Sequence, residues 1–448
     1  MLTIFSGRRQ PLTEGMSRRD FLRIGTLGIG GLSLSHLLRL KAQGAQQTRS
    51  SQKSVIMIYL CGAPSHLDMY DMKPEAPVEY RGEFRPIQSN VPGMDICELM
   101  PLQARIADKL AIIRNLRALA TDTHMPEELL SGFPYGPEGG PASVRPGHRP
   151  TFGSVVSRLH PSSGANLPPY VTLDMGRMPH GYVRPHSLEP AFLGRAHQPF
   201  DPSAPGGVAD LGLADGMTLE RLADRRNLLG AFDNLRRDLE YAPGAFAGMD
   251  AFNAQALDII SSPRVRDAFD VSKEPERVRA QYGTHSRFLQ ARRLVEAGVK
   301  VVTVLAPGYW DTHSNNFNSL RQMLPALDRA IFALVNDLHQ RGLDQDVAVV
   351  IWGEYGRTPR INGNAGRDHW PQATFALVAG GGFRMGQVIG ATSSRAERPV
   401  GESYIPQNLL ATIYREVFGI DPATTLPDHS GRPVYLLDER ESIRELVC

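Results

Sequence analysis

Residues 54–60, SVIMIYL, form an unbroken apolar run closed by Cys61-Gly62-Ala63-Pro64. Continuous rather than alternating hydrophobicity marks a strand buried on both faces, as in sheets covered by helices on each side. Three more runs share this character: residues 300–305 (KVVTVL), 347–352 (VAVVIW) and 374–379 (TFALVA). Helical stretches lie between them, at 99–110, 219–239, 251–260, 275–297, 320–341 and 406–418. Strands separated by long helices predict an α/β fold, a three-layer α/β/α sandwich around a largely parallel sheet. In such sheets the functional site lies in loops beyond the carboxyl ends of the strands.

The chain has 448 residues, 42% of them apolar, which is enough for a large core and excludes both disorder and a disulfide-stapled miniature fold. Its 49 basic and 47 acidic residues nearly cancel, but unevenly. Residues 1–45 hold seven basic and two acidic residues, so the remainder carries 42 against 45, a net −3. A weakly acidic body argues against nucleic-acid binding, which needs a basic surface. The three cysteines, Cys61, Cys97 and Cys448, show no CxxC or Cys/His spacing, so a thiolate zinc module is not expected.

The basic excess belongs to an address. Residues 17–22, SRRDFL, place a twin arginine before a glycine-rich apolar run at 24–34, with Arg39 and Lys41 beyond it. This order is that of a twin-arginine export signal. The run is too short to span a membrane, which takes about 20 apolar residues. The expected organisation is therefore a signal segment at 1–45, read by the twin-arginine machinery, and a single α/β domain at 46–448. Within it, 130–215 read as long loops over the sheet and 219–297 as helical. The mature protein is expected in the periplasm or outside the cell, without a stable membrane span.

Polar residues cluster just after the apolar runs. Residues 62–71 read GAPSHLDMYD, 308–316 GYWDTHSNN, 353–359 GEYGRTP, and 366–371 GRDHWP. Imidazoles and carboxylates at successive strand ends suit one or two divalent ions. The candidate ligands are His66, Asp68, Asp311, His313, Glu354, Asp368 and His369. Asp311 and His313 share a face if the backbone between them is extended. Such ions polarise a phosphoryl or sulfuryl oxygen and activate a nucleophile, and the fork of donors on Arg357 is suited to clamping a tetrahedral anion. A histidine that merely hydrogen-bonds its loop is the alternative at any one of these places; three clusters together weigh against it.

Residues 324–356, LPALDRAIFALVNDLHQRGLDQDVAVVIWGEYG, resemble the alkaline-phosphatase and sulfatase superfamily pattern of a helix, an apolar strand and a metal-binding strand end. By this resemblance Glu354 falls at a metal-binding Asp, Tyr355 at the adjacent His or Asn, Asp311 with His313 at another metal pair, and His369 at a late metal-binding His. SRRDFL, GAPSHLDMYDMKP, WDTHSNNF, GEYGRTPRIN and GRDHWP together resemble a twin-arginine-exported, sulfatase-like family of unknown function across nearly the whole chain. The resemblance implies an alkaline-phosphatase-like fold and a divalent metal such as Zn, Mn, Ca or Mg. It also implies a small-molecule or polysaccharide sulfate or phosphate ester as substrate.

The departures matter equally. Sulfatases carry a formylglycine-forming Cys-x-Pro-x-Arg before Leu-Leu-Thr-Gly; counting back from Leu129-Leu130-Ser131-Gly132 places Asp122 at that Cys. The hydroxyl of Thr123, or less so of Thr121, remains as nucleophile, with His124 as a base or ligand; a helix-capping role is the alternative for the threonines. Two functions follow as expectations: an exported metal-dependent ester hydrolase, or a secreted binding or structural protein that keeps the fold without turnover. A phosphomutase-like transfer is a weaker third.

Overall fold

The computed structural model describes residues 53–119, 124–134, 149–161, 167–178, 188–203 and 262–447. The signal segment, Thr121 to Thr123 and the helical stretches expected at 219–260 lie outside them.

All four apolar runs are strands of one seven-stranded sheet. In chain order its strands are β1 (Ser54–Tyr59), β2 (Leu110–Leu116), β3 (Tyr170–Leu173), β4 (Val301–Leu305), β5 (Val347–Trp352), β6 (Thr374–Gly380) and β7 (Gln387–Ile389). Across the sheet they run β7-β2-β6-β5-β1-β4-β3. β1 pairs in parallel with β4 and β5, β3 with β4, and β7 with β2. Only β6 is reversed, antiparallel to both β2 and β5.

Two separate cores explain the continuous hydrophobicity of β1. Ile56, Ile58 and Leu60 enter one core, and Val55, Met57 and Tyr59 the other. The first lies beneath α4 (Ser286–Ala297) and α5 (Asn316–Gln340), which supply Phe288, Leu294, Leu327 and Leu334. The second lies beneath α2 (Glu127–Ser131), α3 (Phe152–Leu159) and α6 (Pro406–Thr412), with Leu130, Phe152 and Leu409. A single helical turn, α1 (His66–Met69), follows β1. Helices on both faces of a mostly parallel sheet complete the three-layer α/β/α sandwich expected from the sequence. Among the described residues no helix is long and apolar enough to cross a membrane.

Three expectations need correction. The stretch 99–110 is not one helix but a turn at Pro101–Ala104 and a 3-10 turn at Ala107–Lys109 that leads into β2. Pro101 supplies a helix start, yet the following apolar residues serve the sheet. The stretch 130–215 is not loop alone, because it contributes α3 and the edge strand β3. The expected helix at 275–297 is broken between Glu276–Tyr282 and α4, at Gly283 with φ of 55°.

Sheet direction decides where the loops meet. The carboxyl ends of β1, β2, β4 and β5 share one edge. Because β6 runs the opposite way, the segment entering it, with His369, arrives at that same edge.

Candidate metal centre

His124, Asp311, His313 and His369 converge at this edge, their ligand atoms all within 4.8 Å of one another. His124 comes from the segment between β2 and α2, Asp311 and His313 from the loop after β4, and His369 from the segment before β6. Asp311 is the hub. Its Oδ1 lies 3.2 Å from His124 Nε2, 3.0 Å from His313 Nε2 and 3.5 Å from His369 Nε2. His313 Nε2 and His369 Nε2 are 3.0 Å apart.

The other nitrogen of each ring is held in turn. His124 Nδ1 donates to Glu354 Oε1 at 2.5 Å, and His313 Nδ1 to Asp368 Oδ1 at 2.7 Å. His369 Nδ1 lies 3.1 Å from the hydroxyl of Tyr355, which is also 3.2 Å from His124 Nδ1. Outer partners that fix ring orientation and tautomer are the rule around metal-binding histidines. Here they decide the chemistry of the inner nitrogens. With the Nδ1 protons of His124 and His313 committed to carboxylates, neutral rings present Nε2 lone pairs to the Asp311 carboxylate. Lone pairs facing an anion repel unless a cation lies between them, either a proton or a metal ion. Tetrahedral bonds of about 2.0–2.1 Å set donors roughly 3.3 Å apart, close to the spacings around Asp311 Oδ1. The donor set therefore fits a divalent ion.

Backbone packing fixes this arrangement. Gly62 has φ of +107°, and a Cβ on it would lie 2.5 Å from the Asp311 amide nitrogen, so only glycine lets the β1 and β4 loops pass. A Cβ on Gly366 would lie 2.0 Å from the His313 carbonyl oxygen. The two loops are further joined by Arg367 N–H to Thr312 O and Asn316 N–H to Ala365 O, both 3.0 Å. A two-residue ladder pairs Arg357 with His369 and turns both side chains toward Asp311.

Residues 52–447 match the family described as proteins of unknown function (DUF1501). The chain belongs to this family. No curated protein matches this DUF1501 chain. Among solved structures it is similar to the PsFucS1 sulfatase from Pseudoalteromonas sp., at 12% identity and a TM-score of 0.37, over 86% of this chain and 70% of that one. It is also similar to the phosphonate monoester hydrolase SpPMH from Silicibacter pomeroyi, at 14% identity and a TM-score of 0.31, over 88% and 76%. A third is the lipoteichoic acid synthase LtaP from Listeria monocytogenes, at 8% identity and a TM-score of 0.32, over 82% and 72%.

Of the ten candidate site residues in this DUF1501 protein, Asp311, His313 and His369 are brought together in the cluster. His124, read from sequence as a catalytic base or ligand, stands there too. Glu354 and Asp368 occupy the outer layer, because each spends its nearer oxygen on an imidazole. Glu354 Oε1 also accepts from Gly62 N–H at 2.9 Å. Thr123 lies outside the described residues.

His66 and Asp68 are not ligands. Both are fully buried, with His66 Nε2 donating to Ala396 O at 2.9 Å and Asp68 paired with Arg367 at 2.7 and 3.0 Å. Burial pushes the His66 pKa down, keeping it neutral. Asp68 also accepts from Ser65 and Asn316, so it anchors the 366–369 segment rather than the ion. Arg357 is likewise not a clamp open to an anion. It is fully buried, donating to Ala63 O at 2.9 Å and Arg367 O at 3.2 Å, and to Gly62 O and the Asp311 carboxylate. Tyr355, which the resemblance places at the His or Asn beside a metal-binding Asp, sets its hydroxyl between the rings of His124 and His369, a role not legible in the sequence. Tyr309, which donates to Asp311 Oδ2 at 3.1 Å, is a further site residue that the sequence reading did not single out.

Burial raises the Asp311 pKa, but bonds from His124, His369 and Arg357 outweigh it and hold the carboxyl well below the usual range. For His124 burial acts downward, and the Asp311 and Glu354 carboxylates reverse it, so the imidazole pKa ends raised. A protonated ring cannot ligate, so metal affinity is expected to fall as pH drops, starting above the ordinary imidazole range near 6.5. In the metal-free protein the sign is opposite. Stability from charged His124 is full below about 6.5 and lost as pH rises through the higher folded value. Thermal melts against pH, with and without zinc, check both directions; parallel profiles would contradict them.

Asp368→Asn and Tyr355→Phe each remove an outer partner while sparing the ligands. Each is expected to lower metal affinity by about 10–100-fold without unfolding the protein. Competition with a chromophoric chelator measures this, and unchanged affinity in both variants would contradict the outer-layer assignment.

Proposed function

We propose that this DUF1501 protein is an exported, metal-dependent hydrolase of sulfate or phosphate esters. The observation that carries the reading is the set of three imidazoles, each held from outside and each aimed at Asp311. Three nitrogens and one carboxylate oxygen suit Zn²⁺ or Mn²⁺ better than Ca²⁺ or Mg²⁺, which take mainly oxygen donors.

When bound, a divalent ion at this site supplies Lewis acidity toward an ester oxygen and lowers the pKa of water. Asp311 gathers the inner nitrogens, and its own carboxylate is fixed by Arg357 and Tyr309. Glu354 and Asp368 keep the protons of His124 and His313 on Nδ1. His313 and Asp368 are exposed at the mouth, with side chains 45% and 51% accessible, so an ester arrives from their side. Thr123, next to His124 in sequence, or water provides the attacking oxygen. The twin-arginine segment delivers the folded chain to the periplasm or beyond.

Zinc- or manganese-loaded protein assayed on aryl sulfates, phosphomonoesters and phosphodiesters tests the reading. Turnover of one class, lost on chelation and restored by the ion, is expected; turnover indifferent to chelation would overturn it. For export, Arg18→Lys with Arg19→Lys is expected to retain the protein in the cytoplasm, and continued export would contradict the address.

The committed donors of Arg357 favour a second reading, a secreted metal-holding protein without turnover. It predicts stoichiometric metal and no cleavage of any of the three ester classes.

A further inference from the structure

Beside the metal centre, on the other side of the ladder that carries His369, lies an open groove of about 470 Å³. That is within the range of small-molecule sites, roughly 300–1,000 Å³. Tyr80, Arg360, Asn362, Asp368, Trp370 and Glu397 line it. Alternation along the strand explains its position, since His369 faces Asp311 and its neighbour Trp370 faces away.

The walls are bonded to one another. Ile361 N–H donates to Glu79 O at 2.8 Å, Arg367 to Tyr80 O at 2.8 Å, and Trp370 Nε1 to Glu397 O at 2.7 Å. Arg395 lies over the Tyr80 ring at 5.0 Å. A groove so tied needs little ordering when a ligand enters. It is also continuous with the metal centre. Asp368 Oδ1, which holds His313, accepts as well from Asn362 Nδ2 at 3.1 Å, and the same amide donates to the His313 carbonyl at 2.9 Å.

The chemistry of the lining selects an occupant. Two aromatic rings offer flat apolar faces, while Asn362, Asp368, Glu397 and Arg360 supply donors and acceptors around them. A fatty chain needs aliphatic walls, and a polyphosphate or nucleic acid needs a basic excess; here Arg360 and Arg395 are balanced by Asp368 and Glu397. A polyhydroxylated ring presents both a C–H face and a rim of hydroxyls. We infer that this groove binds the sugar portion of a glycan-borne ester, stacking it on Trp370 and Tyr80 while the ester group reaches the centre past Asp368. The inference rests on the hydrolase reading only in taking the metal centre as the place of the ester.

The test is calorimetric titration of the full-length protein with neutral gluco-, galacto- and manno-oligosaccharides, zinc-loaded and after chelation. At least one series is expected to bind saturably, equally well with and without zinc. Arg360→Ala and Trp370→Ala are expected to weaken it by about tenfold or more, equivalent to about 1.4 kcal/mol, and Trp370→Phe to retain most of it. No saturable binding by folded, zinc-loaded protein overturns the inference, as does saturable binding that Arg360→Ala and Trp370→Ala both leave unchanged. Sugar binding without ester cleavage would sink the hydrolase reading alone, and cleavage without sugar binding would sink the groove assignment alone.

Discussion

Asp311→Asn is expected to lower zinc affinity by more than about 100-fold while leaving the fold intact, since even outer-layer losses cost about 10–100-fold. Three Nε2 atoms meet at the Asp311 Oδ1 atom, at 3.0 to 3.5 Å. The amide keeps an oxygen for Arg357 and a nitrogen that can donate to the Tyr309 hydroxyl, but it removes the charge that makes the site a cation trap. Asp311→Ala should go further, since it also strips the buried Arg357 of that acceptor. Chelator competition measures the affinity and circular dichroism the fold. Wild-type affinity in the folded Asn variant would show that the ion, if any, lies elsewhere.

Arg357→Met is expected to cost about 3–5 kcal/mol of stability, the usual penalty for breaking a buried ion pair from one side. The guanidinium serves the carbonyls of Gly62, Ala63 and Arg367 as well as Asp311, so its loss leaves acceptors from three segments unsatisfied at once. Arg357→Lys restores a charge without the planar fork and is expected to recover only part of the loss. Denaturant titration measures both. An exposed anion clamp behaves differently: its removal spares stability and lowers turnover alone, and that outcome would return Arg357 to the catalytic role read from sequence.

The fold was legible wherever hydrophobicity was continuous. The four apolar runs became β1, β4, β5 and β6 because strands buried on both faces carry no polar alternation. β2 was hidden by Arg114 and Asn115 within LAIIRNL and by the helix-like stretch before it, and β3 and β7 are short edge strands in Gly- and Pro-rich surroundings. Pairing decides those strands, and pairing is not a local property.

The site was legible as a set of loops but not as layers. WDTHSNNF and GRDHWP did bring Asp311, His313 and His369 together. Sequence alone could not separate inner from outer carboxylates, because Asp311 and Asp368 have the same chemistry and differ only in which imidazole atom they meet. Nor could it show that His66 and Asp68, in an equally polar motif, turn inward, His66 to Ala396 O and Asp68 to brace Arg367. Burial made that distinction: both are fully buried, whereas the His313 side chain is 45% accessible. For His124 the sequence left base and ligand open, because its partners, Glu354 and Asp311, are 230 and 187 positions away.

X-ray absorption spectroscopy of the zinc-loaded protein tests the central claim most directly, since it reads the donor atoms without requiring a substrate. The account predicts a shell of nitrogen and oxygen at about 2.0–2.1 Å with the outer-ring scattering of three imidazoles. A sulfur shell at about 2.3 Å, which would implicate the buried Cys61 beside Gly62, or an all-oxygen shell without imidazole scattering, would contradict it.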